Sequence, residues 1–256
     1  MKKHYSNKKL ARKPLITALE PRLLLDGAAV ATAVDIITDT QLQLDAMHQT
    51  ETQPQVRHTE TSVGIAPTEV RPLDPAKNAG KKEVVFIDRN VSDYQTLLNG
   101  VSAGVEVVLL DGSKDGLAQM ATWAQGKSGY DAIHVLSHGA EGQIQLGSLS
   151  LDSTTAQSRD ADLSVLGSVL NEQGDLLLYG CDVASAQGES FVSELAALTG
   201  ADVAASLDLT GATVLGGDWE LEYQLGNVTT DTPLDAESRQ VFNGILIDTV
   251  AEANSD

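Results

Sequence analysis

The sequence predicts an α/β fold three layers deep: a mostly parallel sheet with helices on both faces, preceded by a disordered N-terminal tail and linker. Three observations carry that expectation. From Glu83 onward, short apolar runs recur as VVFID (84–88), VEVVLLD (105–111), AIHVLSH (132–138) and DLLLYGC (175–181). The stretches between them carry helix-like patterns, the alternation expected of βαβ units. Ahead of Glu83 the composition shifts to Thr, Gln, Ala and Pro, closed by Pro54, Pro67, Pro72 and Pro75, which reads as linker. A strand that is apolar on both faces must be covered on both, and right-handed crossovers place helices above and below such a sheet.

VVFID is the first buried strand, and Ser92 offers a hydroxyl to cap a helix in DYQTLLNGV (93–101). VEVVLLD is the second strand, followed by a helix from Gly116 to Gln125. AIHVLSH is the third, DADLSVLGSVLNEQG (160–174) reads as helix, and DLLLYGC is the fourth strand. SFVSELAALTG (190–200) is a helix stopped by Gly200, and DVAAS (202–206) is the fifth strand. Gly211, Gly216 and Gly217 make a turn before Trp219, and WELEYQL (219–225) alternates as an antiparallel or edge strand does. The expected organisation is a basic segment over 1–30, a mostly disordered linker over 31–82 with one short helix near 33–47, a compact domain over 83–247, and a tail over 248–256.

Composition narrows the function. Asp and Glu number 36 against 17 Lys and Arg, a net charge of -19, so phosphate backbones and anionic bilayers are repelled and no nucleic-acid partner is expected. A single cysteine forbids an intrachain disulfide and any two-cysteine zinc or iron–sulfur centre. Asp111, Asp115, Asp182 and Asp218 lack calcium-loop spacing and read as turn and cap residues. No metal and no cofactor is therefore expected. No apolar run reaches the roughly 18 residues of a membrane span. The first 26 residues hold Lys2, Lys3, Lys8, Lys9, Arg12, Lys13 and Arg22, yet the apolar stretch that follows is cut by Glu20, Pro21, Arg22 and Asp26. An ordinary cleaved signal peptide is not expected.

Ligands and chemistry collect at the carboxyl ends of parallel strands, so SHG (137–139) and YGC (179–181) are the ends that matter. His138 closes the third strand and Cys181 the fourth. If those strands are neighbours, an imidazole and the chain's one thiol emerge from the same edge. An imidazole within reach of a thiol can take its proton and leave a thiolate nucleophile. Glycine beside each group lets a substrate backbone approach, and the Gly139 amide can donate to a developing oxyanion. His134, between apolar neighbours in the same strand, reads as a core or supporting histidine, and Trp123 and Trp219 as core or rim anchors. His4, His48 and His58 fall in the tail and linker and read as solvated.

These strand ends, with VVFIDRNVSDYQTLL, VEVVLLDGSKDGLAQM, IHVLSHGAEGQIQLGSLSL, GDLLLYGCDVASAQGESFVSELAALTGADVAAS and GGDWELE, resemble the caspase–haemoglobinase fold of clan CD cysteine peptidases. More closely, residues 83–247 resemble DUF4347, a caspase-like domain near the N-terminus of very large bacterial surface and adhesin-like proteins with cadherin-like or calcium-binding repeats. ALEPRLLLDGAA (18–29) resembles the LEPR-XLL segment at the start of such proteins. The resemblance implies a catalytic dyad of His138 and Cys181. It implies a polypeptide substrate or the protein's own chain, an extracellular or cell-surface location in a bacterium, and a downstream repeat array if the chain is a fragment. It equally admits a non-catalytic structural, retention or partner-binding module. After Glu83 the basic groups are few, Arg89, Lys114, Lys127, Arg159 and Arg239, so a specificity pocket with an acidic lining and a preference for Lys or Arg is expected.

Overall fold

The computed structural model describes residues 65–248. The ALEPRLLLDGAA segment, the helix expected near 33–47, the linker up to residue 64 and the tail beyond Asp248 lie outside the described residues.

Among the described residues the main sheet has seven strands: β1 (Thr68–Arg71), β2 (Glu83–Asp88), β3 (Glu106–Leu110), β4 (Tyr130–Leu136), β8 (Leu170–Tyr179), β9 (Asp202–Ala205) and β10 (Tyr223–Leu225). Their spatial order is β1-β3-β2-β4-β8-β9-β10. The five inner strands run parallel, and β1 and β10 close the two edges antiparallel. A second sheet of three short antiparallel strands, β5 (Gly139–Ala140), β6 (Gln143–Leu146) and β7 (Leu149–Asp152), stands above the carboxyl end of β4.

Strand periodicity of two divides the core. Val84, Phe86, Val108, Ile133, Val135, Leu176 and Leu178 face one side. There they pack on Met120 and Trp123 of α2 (Gly116–Ala124), Leu163 and Leu166 of α4 (Asp160–Gly167), and Phe191 and Leu195 of α5 (Gly188–Thr199). The intervening residues Val85, Ile87, Val107, Leu136, Leu177 and Tyr179 face the other side, against Leu97 of α1 (Tyr94–Gly100), Trp219, Phe242 and Leu246. Helix α3 (Ser153–Ser158) follows β7 and the short α6 (Ala236–Val241) packs beside α1. The predicted three-layer α/β arrangement with a mostly parallel sheet is the one observed.

Several boundaries differ from the sequence expectation, each for a local reason. Strand β1 lies inside the stretch read as linker, so the ordered fold begins before Glu83; its pattern TEVR is mostly exposed and has no apolar run to betray it. Ser92 is not the cap of α1: Asp93 occupies that position in the left-handed conformation, φ 55°, and its carboxylate accepts from Thr96 Oγ1. The helix expected over 160–174 stops at Gly167, where an added Cβ would sit 2.0 Å from Thr199 O. The chain then starts β8 at Leu170, which pairs with Tyr130; Asn171, Glu172 and Gln173 fall in a register shift before Asp175 pairs with Ala132, and they are exposed. Of WELEYQL only Tyr223–Leu225 pairs, antiparallel on β9, while Trp219 turns into the core.

Candidate functional site

Strands β4 and β8 are adjacent and parallel, with Leu136 opposite Tyr179 and Ser137 N donating to Tyr179 O at 3.1 Å. His138 and Cys181 therefore leave the same carboxyl edge of the sheet, as their positions in sequence require. Their side chains turn apart. The His138 ring, half-buried, leans toward the exit of β2, with Nε2 3.3 Å from Asn90 O, and its Nδ1 is buried without a partner. Cys181 is wholly buried on the side of β9: Sγ accepts from Thr210 N at 3.3 Å and donates to Thr210 O at 3.6 Å. No hydrogen bond joins the imidazole to the thiol. Burial pushes the Cys181 thiol up to about 12, against a smaller opposing pull from the Thr210 amide, so it is protonated at neutral pH.

The backbone beside these residues is occupied as well. Gly139 N donates to Leu246 O at 2.9 Å and Cys181 N donates to the same oxygen at 3.0 Å. One peptide carbonyl thus sits between two convergent amides, the arrangement that stabilises an oxyanion. The carbonyl belongs to a segment, 244–248, that lies across the edge like a short strand. Ala212 N donates to Gly244 O at 2.8 Å, Leu246 N to Thr210 O at 2.9 Å, and Asp248 N to Gly139 O at 2.9 Å. Isolated bridges pair Ile247 with Gly139 and Ile245 with Gly211. Gly139 can lie this close to its neighbours only because it has no side chain: a Cβ would fall 2.7 Å from both Cys181 O and Val183 Cγ2.

The loop that carries His138 is braced from below. Asp88, fully buried at the end of β2, accepts from Gly147 N at 2.5 Å, Asn90 N at 2.9 Å and Ser137 Oγ at 3.2 Å. The chain passes from β2 outward to β3 and then returns to β4 on the other side, so this brace fills the point where strand order reverses, where α/β sheets commonly hold ligands. Asp88 and Leu246 were not singled out from sequence. An aspartate ending a buried apolar run was a signal for the first; nothing marked the second.

His134 is fully buried, stacked on Tyr179 with ring centroids 6.3 Å apart, and its Nε2 lies 3.5 Å from Glu83 Oε2. It belongs to the core. Asp115 caps α2 by accepting from Ala118 N, and Asp111 accepts from Ser113 N and Oγ, the cap and turn roles expected of them. Asp218 stands with Asp208 and Glu222 in an exposed group whose oxygens lie within 4.8 Å of one another.

Fold and site define an α/β domain whose carboxyl edge holds a histidine, the chain's one cysteine and a strand of the chain itself. The family model described as "Domain of unknown function (DUF4347)" matches residues 84–246. The chain belongs to the DUF4347 family. No match emerges among curated proteins. A solved structure described as "Crystal structure of a small-chain dehydrogenase" aligns over 46% of this chain and 77% of its own, with 12% identity and a TM-score of 0.27. A likeness that weak carries no argument about this chain.

Proposed function

We propose that the domain is a caspase-like cysteine endopeptidase of a bacterial surface or secreted protein, held here in a closed state with a strand of its own chain in the substrate position. The observation that carries the reading is the convergence of Gly139 N and Cys181 N on one peptide carbonyl, 2.9 and 3.0 Å away, beside the chain's one thiol. An acyl-transfer site needs both a nucleophile and donors aimed at the carbonyl oxygen. Opening requires two side-chain rotations: Cys181 Sγ leaves Thr210, and the His138 ring leaves Asn90 O and approaches the thiol. His138 then removes the thiol proton, and Cys181 attacks the carbonyl carbon.

A second reading, a non-catalytic structural, retention or partner-binding module, is favoured by the Cys181 thiol, which is bonded to Thr210 and held protonated in this state. The two are separated by peptide-library cleavage with the full chain and with Leu246→Ala, which loosens the seated strand. Under the peptidase reading, Cys181→Ala and His138→Ala in the Leu246→Ala background each lower cleavage by about 10³ or more, and the pair together costs no more than either alone. Absence of any Cys181-dependent cleavage leaves the binding module standing.

A further inference from the structure

We infer that the Leu246–Ile247 peptide bond is the domain's own processing site, and that the cleft selects a large apolar residue on the acyl side of the bond it cuts. The inference rests on the peptidase reading and adds to it the bond and the side-chain class.

Three features of segment 244–248 point to that bond. The first is the carbonyl. Of the peptide units in the segment, it is Leu246 C=O that receives both edge amides, so the carbon that such a pair would activate is the acyl carbon of Leu246–Ile247. The second is anchorage on both sides. Gly244 O and Leu246 N are held by Ala212 and Thr210, and Asp248 N is held by Gly139. Alternate residues bond to the cleft walls, as in an added strand, and the bond lies between fixed points, the condition for a reactive rather than a merely bound peptide. The third is the sulfur. Thr210 O accepts from Leu246 N at 2.9 Å and from Cys181 Sγ at 3.6 Å. Thiol and acyl residue therefore share one acceptor, and a rotation about the Cys181 side chain is what separates the resting sulfur from the carbonyl beside its own amide.

The side-chain preference follows from what surrounds Leu246. It is fully buried in the cluster that holds Tyr179, Cys181, Trp219 and Phe242. A Lys, Arg or Asp there would bury a charge among apolar groups with no partner. The acidic lining expected from composition does not describe this seat, and neither does a preference for basic residues.

The step balances without any group beyond water. His138 takes the proton of Cys181 Sγ, and a bond forms from sulfur to the Leu246 carbonyl carbon. The bond from that carbon to Ile247 N breaks, and His138 returns the proton to the departing amine. Water then adds to the thioester, a carbon–oxygen bond replaces the carbon–sulfur bond, and the thiol is restored with Leu246 as a free carboxylate.

The test follows the full chain by intact-mass spectrometry at pH 7.5 with reductant, beside Cys181→Ala and Leu246→Met. In parallel, Gly-Ile-Leu and Gly-Ile-Lys chloromethyl ketones compete for Cys181 in the Leu246→Ala chain. The expected results are a split into residues 1–246 and 247–256 that Cys181→Ala abolishes and Leu246→Met retains, and labelling of Cys181 at least about ten-fold faster by the leucyl ketone. Leucine-selective labelling without Cys181-dependent cleavage supports the seat and overturns Leu246–Ile247 as the processing site. Cys181-dependent cleavage at a different bond, or equal labelling by the two ketones, overturns the inference and leaves the peptidase reading in place. Absence of both Cys181-dependent cleavage and ketone labelling above that of iodoacetamide overturns both.

Discussion

Leu246→Ala should convert Cys181 from an inert into a readily alkylated thiol. An ordinary cysteine titrates near 8.5; with Cys181 raised to about 12, its thiolate population at pH 7.5 is lower by about three orders of magnitude. The side chain is also fully buried, so alkylation of the wild type proceeds through transient opening of segment 244–248 or of the whole domain. Leu246 gives up its apolar seat on opening, and truncating a buried leucine to alanine costs about 2–5 kcal/mol in the closed state. That cost appears in the opening equilibrium, which converts to a rate increase of about 30-fold to several thousand-fold at 1.4 kcal/mol per decade. The assay is pulsed iodoacetamide labelling at pH 7.5 with mass detection, against glutathione as the free-thiol standard. Leu166→Ala is the control, because Leu166 is equally buried on the opposite face of the sheet and its loss lowers global stability without loosening the segment. If Leu166→Ala accelerates labelling as much as Leu246→Ala, or if wild-type Cys181 reacts within ten-fold of glutathione, the local-opening account fails.

Two further outcomes follow from the site and the core. Gly139→Ala must place a methyl 2.7 Å from Cys181 O and Val183 Cγ2, so urea unfolding should show a loss of about 1–3 kcal/mol or more; a change below about 0.5 kcal/mol would refute the close approach. Burial holds the His134 imidazole below its ordinary 6.5, the nearby Glu83 and Asp175 charges opposing this and Lys81 reinforcing it. The unfolded chain therefore binds the extra proton first, and stability falls as pH drops below about 6.5, by up to about 1.4 kcal/mol per unit. His134→Gln should remove that component, so denaturation curves at pH 7.5 and 5.5 should differ less for the variant than for the wild type. Equal acid sensitivity in both would show that His134 is not its source.

The inner strands were legible because burial on both faces leaves an unbroken apolar run, as in EVVFID of β2 and EVVLL of β3. The edges were not. Strand β1 carries its side chains mostly in water and sits among prolines, and β5, β6 and β7 are each too short to establish a period. The site divided in the same way. A residue at the end of a parallel strand must emerge at the carboxyl edge, so the shared edge of His138 and Cys181 could be read directly. Which way each side chain turns depends on the neighbouring strand exits, Asn90 for the one and Thr210 for the other, and these come from distant parts of the chain. The seat of Leu246 is hidden for the same reason: a run as short as ILI says that it is buried somewhere, and only the folded backbone says against what.

Strand β1 has one more consequence. An open sheet ends in a row of unpaired amides and carbonyls that invites another chain to add itself, the route to stacked aggregates. Here the exposed border is four residues long, is bracketed by Pro67 and Pro72, carries Glu69 and Arg71, and breaks register between those two charges. Proline withholds a donor, charge resists a like neighbour, and the irregular register twists the remaining ladder out of line. Copies of the domain crowded together at high local concentration would find a poor template along that border.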